Sequence, residues 1–339
     1  MTALTKQQVK DVIEGKSAAP RIPLTYHLWV SSDVYGENAA RAQAALDNCP
    51  CDVSRISLNM PQICEAPADA PDYRFVQKDA DTGHGKAGMD AQGAIDDWDE
   101  LDEILANFPS PEYSKLIPEF EKNEKYTVIH WWYLMFERFW LLRGMENALV
   151  DFYTNPDEVH KLFAKLTGFY CRVLERGRAE AGADAVFVSD DIGTQTGPFF
   201  SLEIFREFFK PYYKIFIDKA HSLGMHVWLH TCGNIEAYLP ELIEIGLDVI
   251  HPIQKYTMDE KEISEKFGDK ICIWAGFDVQ QIIPYGTPEE ARAEVRNMID
   301  TYRRPGGRMM LTFGNGVTSD CPIESLEAVL DESMTYGAK

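Results

Sequence analysis

The amino-acid sequence predicts an α/β protein built as a single (β/α)₈ (TIM) barrel domain over residues 1–339. Short apolar runs alternate with helix-like stretches through the second half of the chain, which is typical of parallel strands covered by helices. Most of the helix-like stretches stop at or near a glycine, the usual C-terminal cap. No strand-like run is followed by a G-x-G-x-x-G loop, so the pattern favours a barrel over a doubly wound dinucleotide-binding sheet.

The second half of the chain supplies five strand–helix units. Strands are predicted at 184–188, 226–229, 248–250, 271–274 and 308–312, and helices at 157–181, 201–223, 235–245, 259–267, 288–302 and 323–334. Two earlier strands are predicted at 24–30 and 126–130. The segment 66–107 is acidic, irregular and dotted with glycine, and we interpret it as an inserted loop or lid over the barrel mouth.

Composition and charge exclude several classes of partner. The formal net charge of −21 argues against nucleic acid and anionic membrane surfaces, because both would be repelled. No run of 18 apolar residues is present, so no membrane span is expected. The seven cysteines are scattered and the first residues show no apolar signal-peptide core, which predicts a cytoplasmic protein with free or metal-bound thiols.

Polar side chains follow nearly every predicted strand. Because barrel active sites lie at the carboxyl ends of the strands, we expect these residues to meet in one site. We predict catalytic roles for His130, Asp190, Asp191 and His230. We predict substrate-binding roles for Trp29, Trp131, Gln254, Asp278 and Asn315, and Trp132 adds to an aromatic-rich mouth.

The pair His230-x-Cys232 is the sharpest candidate for a metal site. Residues i and i+2 of an extended segment point to the same side, so imidazole and thiolate could form half of a zinc site. The alternative is a cysteine packed in the barrel and a histidine bonded to a carboxylate. For Asp190-Asp191, the same alternation brings at most one carboxylate into the barrel, to ligate a metal, orient His230 or act as a general acid or base. The alternative for this pair is a carboxylate that caps the next turn.

Several segments together resemble the uroporphyrinogen decarboxylase-like superfamily. They are 190–195, 205–211, 230–235, 242–254, 276–278, 286–290 and 322–329, with a weaker match at 21–24. The resemblance covers most of the chain from about Phe136 onward and implies the barrel that the periodicity predicts. It also implies one of two chemistries, which are decarboxylation without a cofactor and methyl transfer to or from a corrinoid protein or a thiol, usually with zinc.

Two departures favour the methyltransferase branch over true uroporphyrinogen decarboxylase. The stretch 26–30 lacks the arginines with which the decarboxylases grip acidic side arms, and the chain is strongly acidic. The methyltransferases carry His-x-Cys-Gly and a distant cysteine as zinc ligands, and His230 and Cys232 match the first two. The distant cysteine falls at Asn315, so either Cys321, offset by six residues, or an Asp or Glu supplies the third ligand, or no zinc binds.

The function expected from this resemblance is methyl transfer between a small, methoxylated aromatic substrate and a corrinoid protein that carries cobalamin, as in O-demethylase components. The alternatives are a cofactor-free decarboxylase, in which Asp190 or Asp191 protonates the product, and a non-catalytic binding subunit. A homodimer is compatible with this fold, because barrels of this type often form dimers.

Overall fold

The computed structural model describes residues 2–25, 32–49, 51–60, 95–106, 108–318 and 320–338. Within these ranges a curled, all-parallel sheet of seven strands follows the chain order. The strands are β1 Val53–Ser57, β2 Tyr126–Trp131, β3 Ala185–Ser189, β4 His226–His230, β5 Val249–His251, β6 Cys272–Gly276 and β7 Met309–Thr312. The six strands predicted from 126 onward are confirmed to within one or two residues, whereas β1 was not predicted.

A short segment at residues 23–25 lies along both edge strands of this sheet. The backbone N–H of Thr25 donates to the carbonyl of Leu311 in β7 at 3.0 Å, and the N–H of Asp52, just before β1, donates to the carbonyl of Leu24 at 2.9 Å. This segment is the described part of the strand predicted at 24–30, whose remainder lies outside the described residues. The eight-stranded closed barrel therefore stays a prediction that these hydrogen bonds support.

Helices surround the sheet. They are α1 Lys6–Ile13, α2 Ala39–Asn48, α3 Leu101–Ala106, α4 Phe136–Arg143, α5 Met145–Thr154, α6 Pro156–Ala181, α7 Leu202–Ile204, α8 Lys210–Ser222, α9 Leu239–Glu244, α10 Glu260–Phe267, α11 Ile282–Tyr285, α12 Pro288–Tyr302 and α13 Ile323–Thr335. Helix α6 ends at Gly182, which adopts the left-handed conformation with φ of 65°. The helix predicted at 201–223 is interrupted by a π-helical turn at Phe205–Phe209.

Two apolar cores lie on the two faces of the sheet. The inner core contains alternate strand residues such as Val128, Phe187, Trp228 and Trp274. Leu4 and the α1 residues Val9, Val12 and Ile13 belong to the same core, and the N–H of Arg308, just before β7, donates to the carbonyl of Val12 at 2.7 Å. Since α1 covers the amino ends of the strands, the carboxyl ends are left as the open end of the sheet.

The predicted lid at 66–107 is only partly described. Residues 95–106 form a 3₁₀ turn at Trp98–Glu100 and helix α3. This end packs beside α4, because the N–H of Ile95 donates to the carbonyl of Leu142 at 2.7 Å. Residues 61–94 and 107 lie outside the described residues, so the lid stays a prediction. Among the described helices, none combines the length and the apolar character that crossing a membrane requires.

Candidate functional site

The carboxyl ends of β3 and β4 bring three possible metal ligands together. His230, the last residue of β4, is buried, and its Nε2 lies 3.5 Å from Sγ of Cys232 and 3.6 Å from Oδ1 of Asp191. The ligand atoms of all three residues lie within 4.8 Å of one another, and among the described residues this is the one such group. His230, Cys232 and Asp191 were all predicted as site residues, and we call them the Asp-His-Cys group.

The spacing of the Asp-His-Cys group suits a zinc ion. Tetrahedral zinc lies about 2.0–2.3 Å from nitrogen, oxygen and sulfur ligands, which places neighbouring ligand atoms roughly 3.3–3.7 Å apart. The two distances from Nε2 of His230 lie in this range. Imidazole, thiolate and carboxylate are all zinc ligands, and three protein ligands leave the fourth position that catalytic zinc sites keep open. The residues present therefore fit zinc, with Asp191 in place of the distant cysteine.

The local backbone explains why Cys232 is followed by glycine. Gly233 has φ of 82°, and a Cβ there would lie 2.3 Å from the backbone carbon of Gly193, so only glycine fits. The backbone N–H of Gly233 donates to Oε1 of Gln254 at 2.6 Å, and that of Cys232 donates to Oδ1 of Asp191 at 2.7 Å. Asp191 and Gln254 thus hold the Cys-Gly turn that presents the thiol.

Electrostatics around the group depend on burial. Burial lowers the pKa of His230, and the charge of Asp191 offsets part of this effect. The lowered pKa keeps the ring neutral and able to bind a metal. Burial and the Asp191 charge raise the pKa of the Cys232 thiol to about 12, partly offset by Asn315. A bound metal would deprotonate such a thiol. The amide of Asn315 lies 3.4 Å from Sγ, so the residue at the position expected for the distant cysteine contacts the thiol.

Asp190 has a different environment from its neighbour. Its carboxylate is fully buried and accepts backbone N–H groups at the start of α4, from Met135 at 3.0 Å, Phe136 at 3.0 Å and Glu137 at 2.8 Å. The hydroxyl of Tyr213 donates to it at 2.6 Å. Burial raises its pKa to about 6, and these hydrogen bonds oppose that rise. Asp190 is therefore placed as the cap of α4, and only Asp191 joins the histidine and cysteine.

Glu137 is a site residue that the sequence analysis missed. It is buried in the first turn of α4, its carboxyl accepts from Oγ of Ser189, and the backbone N–H of Asp191 also donates to it. Burial and the charges of Asp191 and Asp190 raise its pKa well above the usual range. One signal could have found it, because Glu137 and Arg138 interrupt the aromatic run 136–140 just after a predicted strand.

The aromatic wall of the site comes from Trp132 instead of Trp131. Trp131 points out of the sheet, where it stacks on Tyr170 at 5.5 Å and meets Phe216 edge-on at 6.0 Å. Trp132 meets the His230 ring edge-on at 5.7 Å. Alternation on β2 explains the difference, because neighbouring residues face opposite sides. The predicted substrate-binding role of Trp131 does not agree with this packing.

Two further residues were predicted to take part in the site, His130 in catalysis and Cys321 as a possible metal ligand. His130 is buried, and its Nε2 lies 2.6 Å from Oγ of Ser57. It meets Trp132 edge-on at 5.8 Å, so it belongs to the same wall of the site. Cys321 is buried beside Tyr35, with Sγ 3.6 Å from the carbonyl of Pro322, and is not a member of the Asp-His-Cys group.

A cavity of about 340 Å³ opens beside the group at the ends of β5, β6 and β7. Gln254, Asp278 and Asn315, three of the predicted substrate-binding residues, line it. Oδ1 of Asp278 accepts the N–H groups of Gln280 and Gln281 at 2.9 and 3.0 Å, and Oδ2 accepts the hydroxyl of Tyr256. Trp29, which belongs to the same predicted set of five, lies outside the described residues.

Comparison with known proteins finds both a methyltransferase and uroporphyrinogen decarboxylases among the proteins similar to this chain. A methylated-thiol–coenzyme M methyltransferase of Methanosarcina mazei is 26% identical over 192 residues, which cover 55% of this chain and 47% of that protein. A uroporphyrinogen decarboxylase of Vibrio campbellii is 25% identical over 192 residues, or 54% of this chain and 51% of that protein. The matches thus span about half the length of these curated relatives.

A solved structure of a methyltransferase from Methanosarcina mazei shares the fold over the whole chain. It covers 99% of each chain with a TM-score of 0.65 at 14% identity. The family model "Uroporphyrinogen decarboxylase (URO-D)" matches residues 140–336, more than half of the chain. This range contains the Asp-His-Cys group, and it confirms the resemblance drawn from the segments between 190 and 329. The chain belongs to the uroporphyrinogen decarboxylase (URO-D) family.

Proposed function

We propose that this chain is a zinc-dependent methyltransferase of the corrinoid-linked type, acting as the demethylating component for a small methyl ether. The observation that carries the proposal is the Asp-His-Cys group, whose ligand atoms have zinc-like spacing at the carboxyl ends of β3 and β4. The likeness to a methyltransferase in sequence and in fold supports it. A separate corrinoid protein, docked over the open end of the sheet, would carry the cobalamin that accepts the methyl group.

Asp191, His230 and Cys232 would hold the zinc ion. A zinc ion bound there would act as a Lewis acid on the heteroatom that carries the methyl group. His230 contributes a neutral imidazole because burial lowers its pKa. His251, whose Nδ1 lies 2.7 Å from Nδ1 of His230, orients that ring.

The other residues of the site bind and shield the substrate. Trp132 offers an apolar edge beside His230, against which an aromatic substrate would pack. The cavity lined by Gln254, Asp278 and Asn315 adjoins the thiol, since Asn315 contacts Cys232 and Gln254 holds the next residue. Glu137, whose raised pKa favours the protonated form, lies behind Asp191 and could return a proton to the demethylated oxygen.

Metal content and methyl transfer test the proposal together. We expect about one zinc per chain in the purified protein, and none in the His230→Ala/Cys232→Ala double variant. With cob(I)alamin as acceptor and methoxylated aromatics as donors, we expect methylcobalamin formation by the native chain and not by the double variant. Full methyl transfer by the zinc-free double variant would exclude this mechanism.

A second candidate is a cofactor-free decarboxylase acting on an unknown carboxylate. Two observations favour it, the match to uroporphyrinogen decarboxylases and the raised pKa of the buried Glu137 carboxyl near the site. In this reaction a protonated carboxyl delivers the proton that replaces CO₂. Release of labelled CO₂ that is unaffected by chelators and by corrinoid would support this candidate and argue against the methyltransferase.

A further inference from the structure

An arginine faces the interior of the curled sheet on β1. Along this strand Val53 belongs to the inner core, and Ser57 contacts the inward-facing His130 at 2.6 Å. Side chains two residues apart on a strand share a face, so Arg55, between these two, also points inward. Arg55 was not among the residues predicted from the sequence.

The strand registers place Arg55 at the floor of the candidate site. In parallel barrels the strands are staggered by about one residue each, so that alternate strands contribute side chains to one layer. When this stagger is applied to the observed strand registers, one layer receives a side chain from each of β1, β3, β5 and β7. These side chains are Arg55, Phe187, His251 and Thr312. His251 of this layer contacts His230, so the layer lies directly beneath the Asp-His-Cys group.

Two polar groups of this layer have no hydrogen-bond partner among the described residues. Nη1 of Arg55 and Oγ1 of Thr312 are both enclosed and unsatisfied. Burial lowers the pKa of Arg55, and within the described part of the chain only the Cys51 thiol, and no carboxylate, opposes that effect. An enclosed guanidinium without a counter-charge costs free energy. Most buried polar groups in folded proteins have a hydrogen-bond partner, and a ligand that supplies the missing partner would explain an unsatisfied one.

The unpaired charge is unusual for this protein. The chain has 54 acidic residues against 33 basic ones, and ion pairs hold Arg21, Arg143 and Arg176, whose side chains are also largely shielded from solvent. Guanidinium groups remain charged at all accessible pH values and bind carboxylates through two parallel hydrogen bonds. We propose that Arg55, with Thr312, binds a carboxylate of the methyl donor at the floor of the site, so that the substrate is an anionic, methoxylated acid.

This inference depends on the proposed function only in making the carboxylate part of a methyl donor. Binding is therefore measured without turnover, on the whole chain after chelator treatment and without corrinoid. The probes for isothermal titration calorimetry are 4-methoxybenzoate, its uncharged isostere 4-methoxybenzamide, and inorganic phosphate. We expect 4-methoxybenzoate to bind at least tenfold more tightly than the benzamide, and phosphate to bind weakly.

Substitution of the arginine tests the assignment. Arg55→Met keeps an unbranched apolar stem and removes the guanidinium, and we expect it to abolish the preference for the benzoate. We expect its Tm without ligand to rise, because an unpaired buried charge is removed. Arg55→Lys, which keeps the charge without the planar fork, should retain part of the preference. Arg41→Met, at an exposed arginine paired with Glu324 and Glu327, is the matched control and should keep all of it.

Three results would overturn the proposal: equal affinity of the native chain for benzoate and benzamide, an unchanged preference in Arg55→Met, or phosphate binding as tight as that of the benzoate. A lower Tm in Arg55→Met would also count against it, by showing a structural role. If the native chain transferred no methyl group but still preferred the benzoate, the proposed function would be rejected and the carboxylate site would remain.

Discussion

The Nδ1 atoms of His230 and His251 lie 2.7 Å apart, so one imidazole donates its hydrogen to the other. His251 is fully buried and packs against Trp274 at 4.3 Å between ring centroids, which restricts its movement. Ligation through Nε2 requires His230 to carry its hydrogen on Nδ1 and to donate it to His251. The pair therefore fixes both the tautomer and the direction of the ring that faces Cys232 and Asp191.

Replacement of the second histidine should weaken zinc binding without unfolding the chain. His251→Phe keeps a ring of similar size and removes the acceptor, so we expect zinc affinity to fall roughly 10–100-fold. Competition with a chromophoric chelator measures this affinity. His251→Asn, whose amide oxygen can still accept, is the control and should lose less. Equal zinc affinity in the native protein and the Phe variant would show that His251 does not orient His230.

Asp191 should be needed for metal binding. Asp191→Ala removes the carboxylate from the Asp-His-Cys group and frees the N–H of Cys232, so we expect zinc content well below one per chain. Asp191→Cys restores a thiolate ligand and should bind zinc again. Zinc content after dialysis, measured by atomic emission, decides between these outcomes. A Cys321→Ser variant provides the contrast, because Cys321 lies outside the group and its loss should leave zinc unchanged.

The carboxylate of Asp190 should contribute to the stability of the fold and not to metal binding. Asp190→Ala leaves three N–H groups of the first turn of α4 and the Tyr213 hydroxyl without their acceptor. We expect the free energy of unfolding to fall by roughly 2–4 kcal/mol, measured by guanidinium denaturation. Asp190→Asn keeps one acceptor and should lose less. If Asp190→Ala lost zinc but not stability, the roles assigned to the two aspartates would be reversed.

A pH-dependent contribution to stability is expected far from the site. Nε2 of His221 lies 2.9 Å from Oδ2 of Asp248, and this contact raises the pKa of the histidine. Since the folded-state pKa exceeds the unfolded one, the stabilisation is complete below about pH 6.5 and is lost as pH rises through the folded-state pKa. The imidazole is 40% exposed, so the gain should be about 0.5 kcal/mol.

Comparison of the native chain with His221→Gln measures this effect. The difference in free energy of unfolding should be largest at pH 5.5 and should shrink towards pH 8.5. A difference that is constant over this range would mean that the contact does not depend on the charge of the histidine.

Repeating patterns in the sequence predicted much of the architecture. The alternation of apolar runs and glycine-ended helices between 126 and 334 predicted six of the seven strands that the structure describes, because buried parallel strands need apolar residues on both faces. Strand β1 escaped this reasoning because it reads Val-Ser-Arg-Ile-Ser, with polar residues at three of five positions. These positions include Arg55 and Ser57, which face the interior and the site.

Local spacing determined which residues could take part in a site, and the tertiary structure decided which of them meet. The sequence by itself identified His230 and Cys232, because two residues apart on an extended segment is a short-range relationship. It left open whether Asp190 or Asp191 joins them, and it assigned substrate binding to Trp131, whereas Trp132 is the ring that contacts His230. Only the packing of α4 against the end of β3 decided that Asp190 caps a helix while Asp191 accepts the backbone N–H of Cys232. Only the pairing of β4 with β5 placed His251 beside His230, since contacts between separate strands depend on register, which no local pattern encodes.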